Sequence, residues 1–167
     1  IAPPDARVAT ITGLIIGASA VGGALGGWRL GGLGDRVGYR RIIIACALAS
    51  VVFYAPQSLV GQWVWLVPLQ LGAGFAMGGI LSSMGASLAT LSPDGREGLV
   101  YGVEATALSI ANAIGPAVGS MVAAWFGLWA PFVGAALVFA LGGVVAFQRM
   151  PDLRARQPTT ETGTDEV

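Results

Sequence analysis

Glu104 is the residue of this sequence whose type and position point most directly to chemistry. It is the only charged residue between Gly98 and Gln148. A carboxylate inside the hydrocarbon region of a membrane is costly, and such residues usually belong to a proton relay or a cation site. On a helix, Glu104 shares a face rich in small residues, which predicts that this face meets other helices rather than lipid. The other residues of that face are Leu108, Ala111, Gly115 and Val118.

Two interpretations of Glu104 remain open from the residues alone. It is either a proton-relay or cation-binding carboxylate, or a structural partner for Arg29, Arg36 or a helix outside this sequence. Asn112 and Gln70 are candidates for the lining of a polar cavity. The alternative for each amide is an ordinary hydrogen bond between helices.

The densest group of charges lies in residues 31–41, between two long uncharged stretches. It holds four of the eighteen charged residues of the chain, counted as nine basic and nine acidic. Because charge is costly in a bilayer, this signature cluster is expected at a membrane surface. Its two outer glycines suit a tight turn between antiparallel helices. The candidate residues of the cluster are Gly31, Asp35, Arg36, Gly38, Arg40 and Arg41.

The composition excludes an ordinary soluble domain. Hydrophobic residues make up 54% of the chain and charged residues 11%, and the mean hydropathy is +0.73. The uncharged stretches 8–28, 42–93 and 105–148 have room for one, two and two spans of about 20 residues. We therefore predict an all-α bundle over residues 1–150, followed by a disordered tail over residues 151–167. The predicted spans are Val8–Leu30, Arg41–Ser58, Trp63–Leu91, Gly98–Phe126 and Pro131–Gln148.

The arginines predict the orientation of these spans. Eight of the nine arginines lie in or beside the 35–41 turn, the 93–97 turn and the segment from residue 149, and the other two turns hold none. The positive-inside rule places the arginine-bearing side in the cytoplasm, so the chain starts outside and its tail is cytoplasmic. An external start with an odd number of spans predicts further helices upstream. Four tryptophans then form an outer aromatic belt: Trp63, Trp65, Trp125 and Trp129.

Two motifs resemble those of the major facilitator superfamily of secondary transporters. The spacing of the signature cluster resembles the loop signature of that family. Residues 115–119, Gly-Pro-Ala-Val-Gly, resemble the core of the glycine-proline motif of facilitator-type antiporters, with Ala111 and Ser120 where the fuller motif has glycine. Pro116 removes a backbone donor and is expected to kink its helix between Gly115 and Gly119. The resemblance covers nearly the whole chain, from about residue 10 to residue 149.

The resemblance implies five helices of a twelve-helix fold, here the eighth to twelfth, with the second to sixth as the alternative because the two halves are repeats. It implies alternating access with the signature cluster as an inner gate latch, in which Asp35 is released from a base or a helix N-terminus in one state. The most similar members look like bacterial exporters of drugs or metabolites driven by proton exchange. An uptake symporter for a sugar or organic acid is the second interpretation, and a membrane protein that is not a transporter is the third.

The expected partners are the lipid bilayer of a bacterial inner membrane, upstream helices of the same transporter, a small-molecule substrate and protons. We expect no enzyme activity, cofactor or metal site, since the sequence has no histidine and one cysteine, Cys46. No nucleic-acid partner is expected. The segment 32–34 lacks the third glycine of a dinucleotide-binding loop and follows no strand.

Glycines that recur four residues apart predict close helix packing. We interpret them as scaffold rather than as a site. The pairs are Gly13/Gly17, Gly22/Gly26, Gly23/Gly27, Gly27/Gly31, Gly74/Gly78, Gly98/Gly102 and Gly115/Gly119.

Overall fold

The protein, described here by a computed structural model, forms five α-helices over residues 4–93 and 95–150. All five are long and apolar enough to cross a membrane by length and composition. No strand occurs in the described ranges, so the prediction of an all-α membrane fold with five spans is confirmed. The predicted tail, residues 151–167, lies outside them. The helices are α1 (Pro4–Val37), α2 (Tyr39–Gln57), α3 (Trp63–Leu91), α4 (Glu97–Phe126) and α5 (Ala130–Arg149).

The first span was predicted too short. Helices α2 to α5 begin and end within two residues of the predicted bounds, whereas α1 continues past Leu30 to Val37. The predicted loop at 35–41 is therefore wrong, because only Gly38 lies outside a helix. Gly38 has a φ of 104°, and its N–H donates to the carbonyl oxygen of Gly34 at 2.8 Å, which closes the last turn of α1. Charged side chains near helix ends extend into water, so the charges do not require a loop.

Helices α1 and α3 run parallel and pack through four glycines, which we call the glycine seam. A Cβ on Gly22 would collide with the carbonyl oxygen of Leu71, and one on Gly26 with that of Phe75. From the other side, a Cβ on Gly74 or Gly78 would collide with the backbone of α1. The predicted role of these two glycine pairs in close packing is confirmed. The seam consists of Gly22, Gly26, Gly74 and Gly78.

Helix α2 packs antiparallel to α3 and closes a small core. Ile42 and Cys46 of α2 and Ala76 of α3 form its buried cluster. Nearer the other end of α2, the ring of Phe53 lies where a Cβ on Gly72 would stand. Helices α1, α2 and α3 thus form a compact unit.

Helix α4 is attached to this unit far more loosely. None of its residues is buried. A Cβ on Gly98, Gly102, Gly115 or Gly119 would have no neighbouring atom within 4 Å. Within the described residues, these predicted packing glycines face open space, because the helices beside α4 stand away from it.

Candidate functional site

The signature cluster closes on itself through Asp35 and Tyr39. Asp35 is exposed in the last turn of α1, and Tyr39, which is 3% exposed, is the first residue of α2. The Tyr39 hydroxyl donates a 2.6 Å hydrogen bond to Oδ1 of Asp35. This is the length expected of a hydroxyl bonded to a carboxylate. The bond therefore bridges the break between the two helices at Gly38.

Gly34 makes room for that bond. A Cβ on Gly34 would lie 2.8 Å from Cδ1 of Tyr39 and 3.6 Å from Oγ of Ser83. The tyrosine ring can therefore approach the end of α1 this closely only because residue 34 has no side chain. Sequence reasoning missed both Gly34 and Tyr39. The available signal was the four-residue separation of Asp35 and Tyr39, the spacing at which helical side chains meet.

The remaining residues of the cluster point in different directions. Arg36 and Arg41 are exposed. The guanidinium of Arg40 donates to the carbonyl oxygen of Phe147 in α5, a partner that sequence reasoning also missed. Gly31 lies inside α1, with Cβ and Oγ of Ser82 3.6 and 3.5 Å from where its own Cβ would stand. The predicted place of Gly31 in the turn is wrong, because Gly38 alone supplies the positive φ.

Glu104 lies half-buried at a groove of about 640 Å³ between α3 and α4. It is the only ionisable side chain among the lining residues, which are otherwise apolar. The two helices are joined beside the groove by the Tyr101 hydroxyl, which donates to the carbonyl oxygen of Gly85 at 3.2 Å. The arrangement is a single carboxylate in an apolar cleft. The other lining residues are Met84, Leu88, Leu99, Val100, Val103, Ala107, Leu108 and Ala111.

A second groove of about 630 Å³ separates α4 from α5. Gly115 and Gly119 of the glycine-proline motif line it, facing Gly134 and neighbouring residues of α5. Helix α4 continues through Pro116 without a break. The face predicted to contain Glu104 thus lines the first groove at one end and the second at the other.

Asn112 and Gln70 do not join Glu104. Asn112 is exposed on α4 and Gln70 is half-buried on α3, and neither lines either groove. Among the described residues, no three His, Cys, Asp or Glu side chains gather in a way that could hold a metal ion. The chemistry available in the described part of the chain is therefore that of Glu104 and of the Asp35–Tyr39 pair.

The family of the chain is decided by its match to a model described as the Major Facilitator Superfamily, which covers residues 8–166. The chain belongs to the major facilitator superfamily. This confirms the resemblance to that family and agrees with five helices of a twelve-helix fold. It also agrees with the prediction of an integral membrane protein.

Curated relatives match over most of this chain. It is 32% identical over 136 residues to the MFS-type transporter YuxJ of Bacillus subtilis (strain 168), covering 81% of this chain and 35% of YuxJ. The multidrug resistance protein MdtG of Erwinia billingiae (strain Eb661) is 32% identical over 146 residues, 84% of this chain and 34% of that protein. MdtG of Klebsiella pneumoniae (strain 342) is 31% identical over 160 residues, 91% and 37% respectively. The chain thus spans about a third of the length of these relatives.

Proposed function

We propose that this chain contributes to a secondary active transporter that exports small molecules by exchange with protons. Because it spans about a third of its relatives' length, the activity is proposed for a protein of that length that contains it. Its helices are proposed to be the eighth to twelfth of twelve. Alternating access then moves two helix bundles around a site near the middle of the membrane.

The observation that carries the proposal is the position of Glu104. Its carboxylate is half-buried in a groove that is otherwise apolar. Acidic side chains are rare and costly inside a membrane, and those that occur there commonly belong to proton relays or cation sites. The position of Glu104 therefore supports a role in proton exchange.

The direction of transport is supported by the relatives. MdtG proteins from two organisms that match this chain are named multidrug resistance proteins. Export of drugs or metabolites is therefore the proposed function. The proposed location is a bacterial inner membrane.

The Asp35–Tyr39 pair is the proposed inner latch. It bridges the junction of α1 and α2 by one charge-assisted hydrogen bond. A latch of this kind can bias two states by no more than the energy of its contacts, about 1.5–3 kcal/mol for a bond to a charged group. That amount shifts a two-state equilibrium without locking it.

The test of proton coupling is Glu104→Gln in the full-length protein, reconstituted in proteoliposomes with ethidium as the probe. We expect the variant to insert and fold, to lose ethidium accumulation driven by a proton gradient, and to keep downhill ethidium exchange. Glu97→Gln is the matched control, since Glu97 is an exposed carboxylate in the first turn of the same helix. A Glu104→Gln protein that still concentrates ethidium would show that Glu104 is only a structural partner.

The proposed orientation has its own test. In a Cys46→Ser background, Ser58→Cys should react with an impermeant maleimide added to intact cells, and Asp94→Cys should be protected. The expectation rests on the arginine asymmetry between the two sides of the chain. The reverse labelling pattern would refute an external start and a cytoplasmic end.

A further inference from the structure

Arg40 belongs to the signature cluster by sequence and to α2 by position, but its side chain contacts α5. Its guanidinium donates to the carbonyl oxygen of Phe147, and its Cζ atom lies 5.3 Å from the centroid of the Phe147 ring. Phe147 is in the last turn of α5, which ends at Arg149. Carbonyl groups in a last turn have no intrahelical donor. Arg40 therefore caps the end of α5 and stacks on it at the same time.

The end of α5 is an electrostatically favourable place for the Arg40 side chain, whereas the start of its own helix is not. Arg40 is the second residue of α2, and the first turn of α2 contains no acidic residue. A cation is disfavoured at the positive end of a helix dipole and favoured at the negative end. The C-terminal end of α5 supplies that negative end.

Two further contacts continue the interface between α2 and α5 away from Arg40. A Cβ on Gly143 would lie 3.3 Å from the Cβ of Ala47. The rings of Tyr54 and Phe139 stack with centroids 5.5 Å apart and planes 9° apart. The two helices are thus in antiparallel contact from the signature cluster onward. Arg40 provides the polar contact at one end of this interface.

We propose that Arg40 is a positioning residue that clamps the end of α5 onto α2, separate from the Asp35–Tyr39 latch. The consequence for transport rests on the proposed function. Helix α5 forms one wall of the second groove, and Gly115 and Gly119 of α4 lie on the opposite wall. An α5 released at its end changes the width of that groove, so Arg40 acts on transport through α5.

The first test asks whether a disulfide that holds α5 against α2 restores transport when Arg40 is replaced. A clamp predicts that it does, and a latch predicts that it does not. In the full-length protein, reconstituted with ethidium as the probe, Arg40→Gln should lower the initial transport rate about fivefold or more, through loss of a charged hydrogen bond and a cation–π contact. A disulfide between Ala47→Cys and Gly143→Cys, in a Cys46→Ser background, should restore most of that rate. The Cβ separation is close to the range of about 3.5–4.5 Å that disulfides require. Reduction should remove the rescue in the same sample.

The control substitutions are made at the end of α5 and at Arg40 itself. Arg149→Gln removes an exposed charge from the last turn of α5 and should leave the rate within about twofold of the parent protein, as expected for a surface charge. Arg40→Lys should retain only part of the parent transport rate, because an ammonium keeps the charge but not the planar stacking. If the disulfide forms and transport stays low in Arg40→Gln, Arg40 acts in the latch and the clamp is refuted.

A second readout does not depend on transport. Without Arg40 the cysteines at 47 and 143 should meet less often, so Arg40→Gln should slow their oxidation several-fold, and Phe147→Leu should slow it less. An unchanged oxidation rate in both variants would overturn the clamp even if transport were lost. If the parent protein shows no proton-dependent transport, the proposed function fails, and the oxidation rates still decide the clamp. Phe147→Leu provides the same measurement if Arg40→Gln does not fold.

Discussion

The glycine seam between α1 and α3 and the exposed helix α4 use the same residue type in opposite ways. In the seam, the glycines of both helices stand where a single methyl group would collide with the facing backbone. On α4, glycines at the same four-residue spacing have no atom of another helix within reach of a Cβ. Glycine spacing alone therefore does not determine whether two helices are in contact.

The difference separates the scaffold from the candidate site. The seam joins α1 to α3 along a continuous face, and α2 closes on it with a buried cluster. Glu104 and the glycine-proline motif lie on α4, the helix without buried residues. Loosely packed elements open at a lower free-energy cost than core elements. Glu104 and the glycine-proline motif thus lie where movement is least restrained by the described part of this chain, whereas the Asp35–Tyr39 latch lies at the end of the packed unit.

The strongest test of this comparison adds one methyl group to a glycine of the seam and one to a glycine of α4. Gly26→Ala places a Cβ against the carbonyl oxygen of Phe75 and should lower the free energy of unfolding by about 1–3 kcal/mol, as overpacking does. Gly102→Ala meets nothing within 4 Å and should be neutral or stabilising by about 0.4–1 kcal/mol. Thermal unfolding in detergent, followed by tryptophan fluorescence, measures both. Equal effects of the two substitutions would contradict the division into seam and open helix.

A second test concerns the latch at the end of α1. Asp35→Asn removes the charge that strengthens the bond from Tyr39, and the transport rate should fall by up to about tenfold, the equivalent of 1.4 kcal/mol. The amount of folded protein should fall less than the rate. Tyr39→Phe removes the same bond without changing charge and should show the same trend. If activity in both variants merely follows protein amount, the cluster sets topology only and the latch is refuted.

The smallest effect is expected where α4 meets α3. Tyr101→Phe removes the bond to the carbonyl oxygen of Gly85, and because Tyr101 is 40% exposed the cost should be near the lower limit of about 0.5 kcal/mol. Amide hydrogen exchange should become faster in the first half of α4 and stay unchanged in α1 and α3. Faster exchange in the seam instead would show that α4 supports the scaffold.

Much of the fold could be predicted from the sequence because its determinants are local. The long uncharged stretches and the turn residues between them gave the bounds of α3 without error and those of α2, α4 and α5 within two residues. The sequence predicts too early an end for α1, because its charged last turns resemble a loop. The decisive feature was a single positive-φ residue, Gly38.

The candidate site was predictable only in part. Glu104 stands out as a lone charge, and the structure places it in a groove. Asn112 and Gln70, predicted to line a polar cavity, do not lie in that groove, because one helix face is a weak guide to which other helix it meets. The partner of Arg40 is 107 residues away along the chain, a distance at which residue spacing carries no information.

The sequence by itself determined the class of protein, the number of membrane-spanning helices and the family, because hydrophobic length, charge placement and motif spacing are written along the chain. Only the tertiary structure decided which glycines lie in contact, which residue bonds to Asp35 and where the Arg40 side chain goes. Those outcomes depend on how helices distant in sequence are placed against each other. A helix face of given composition can meet lipid, another helix or a groove, and packing of the whole bundle selects among them.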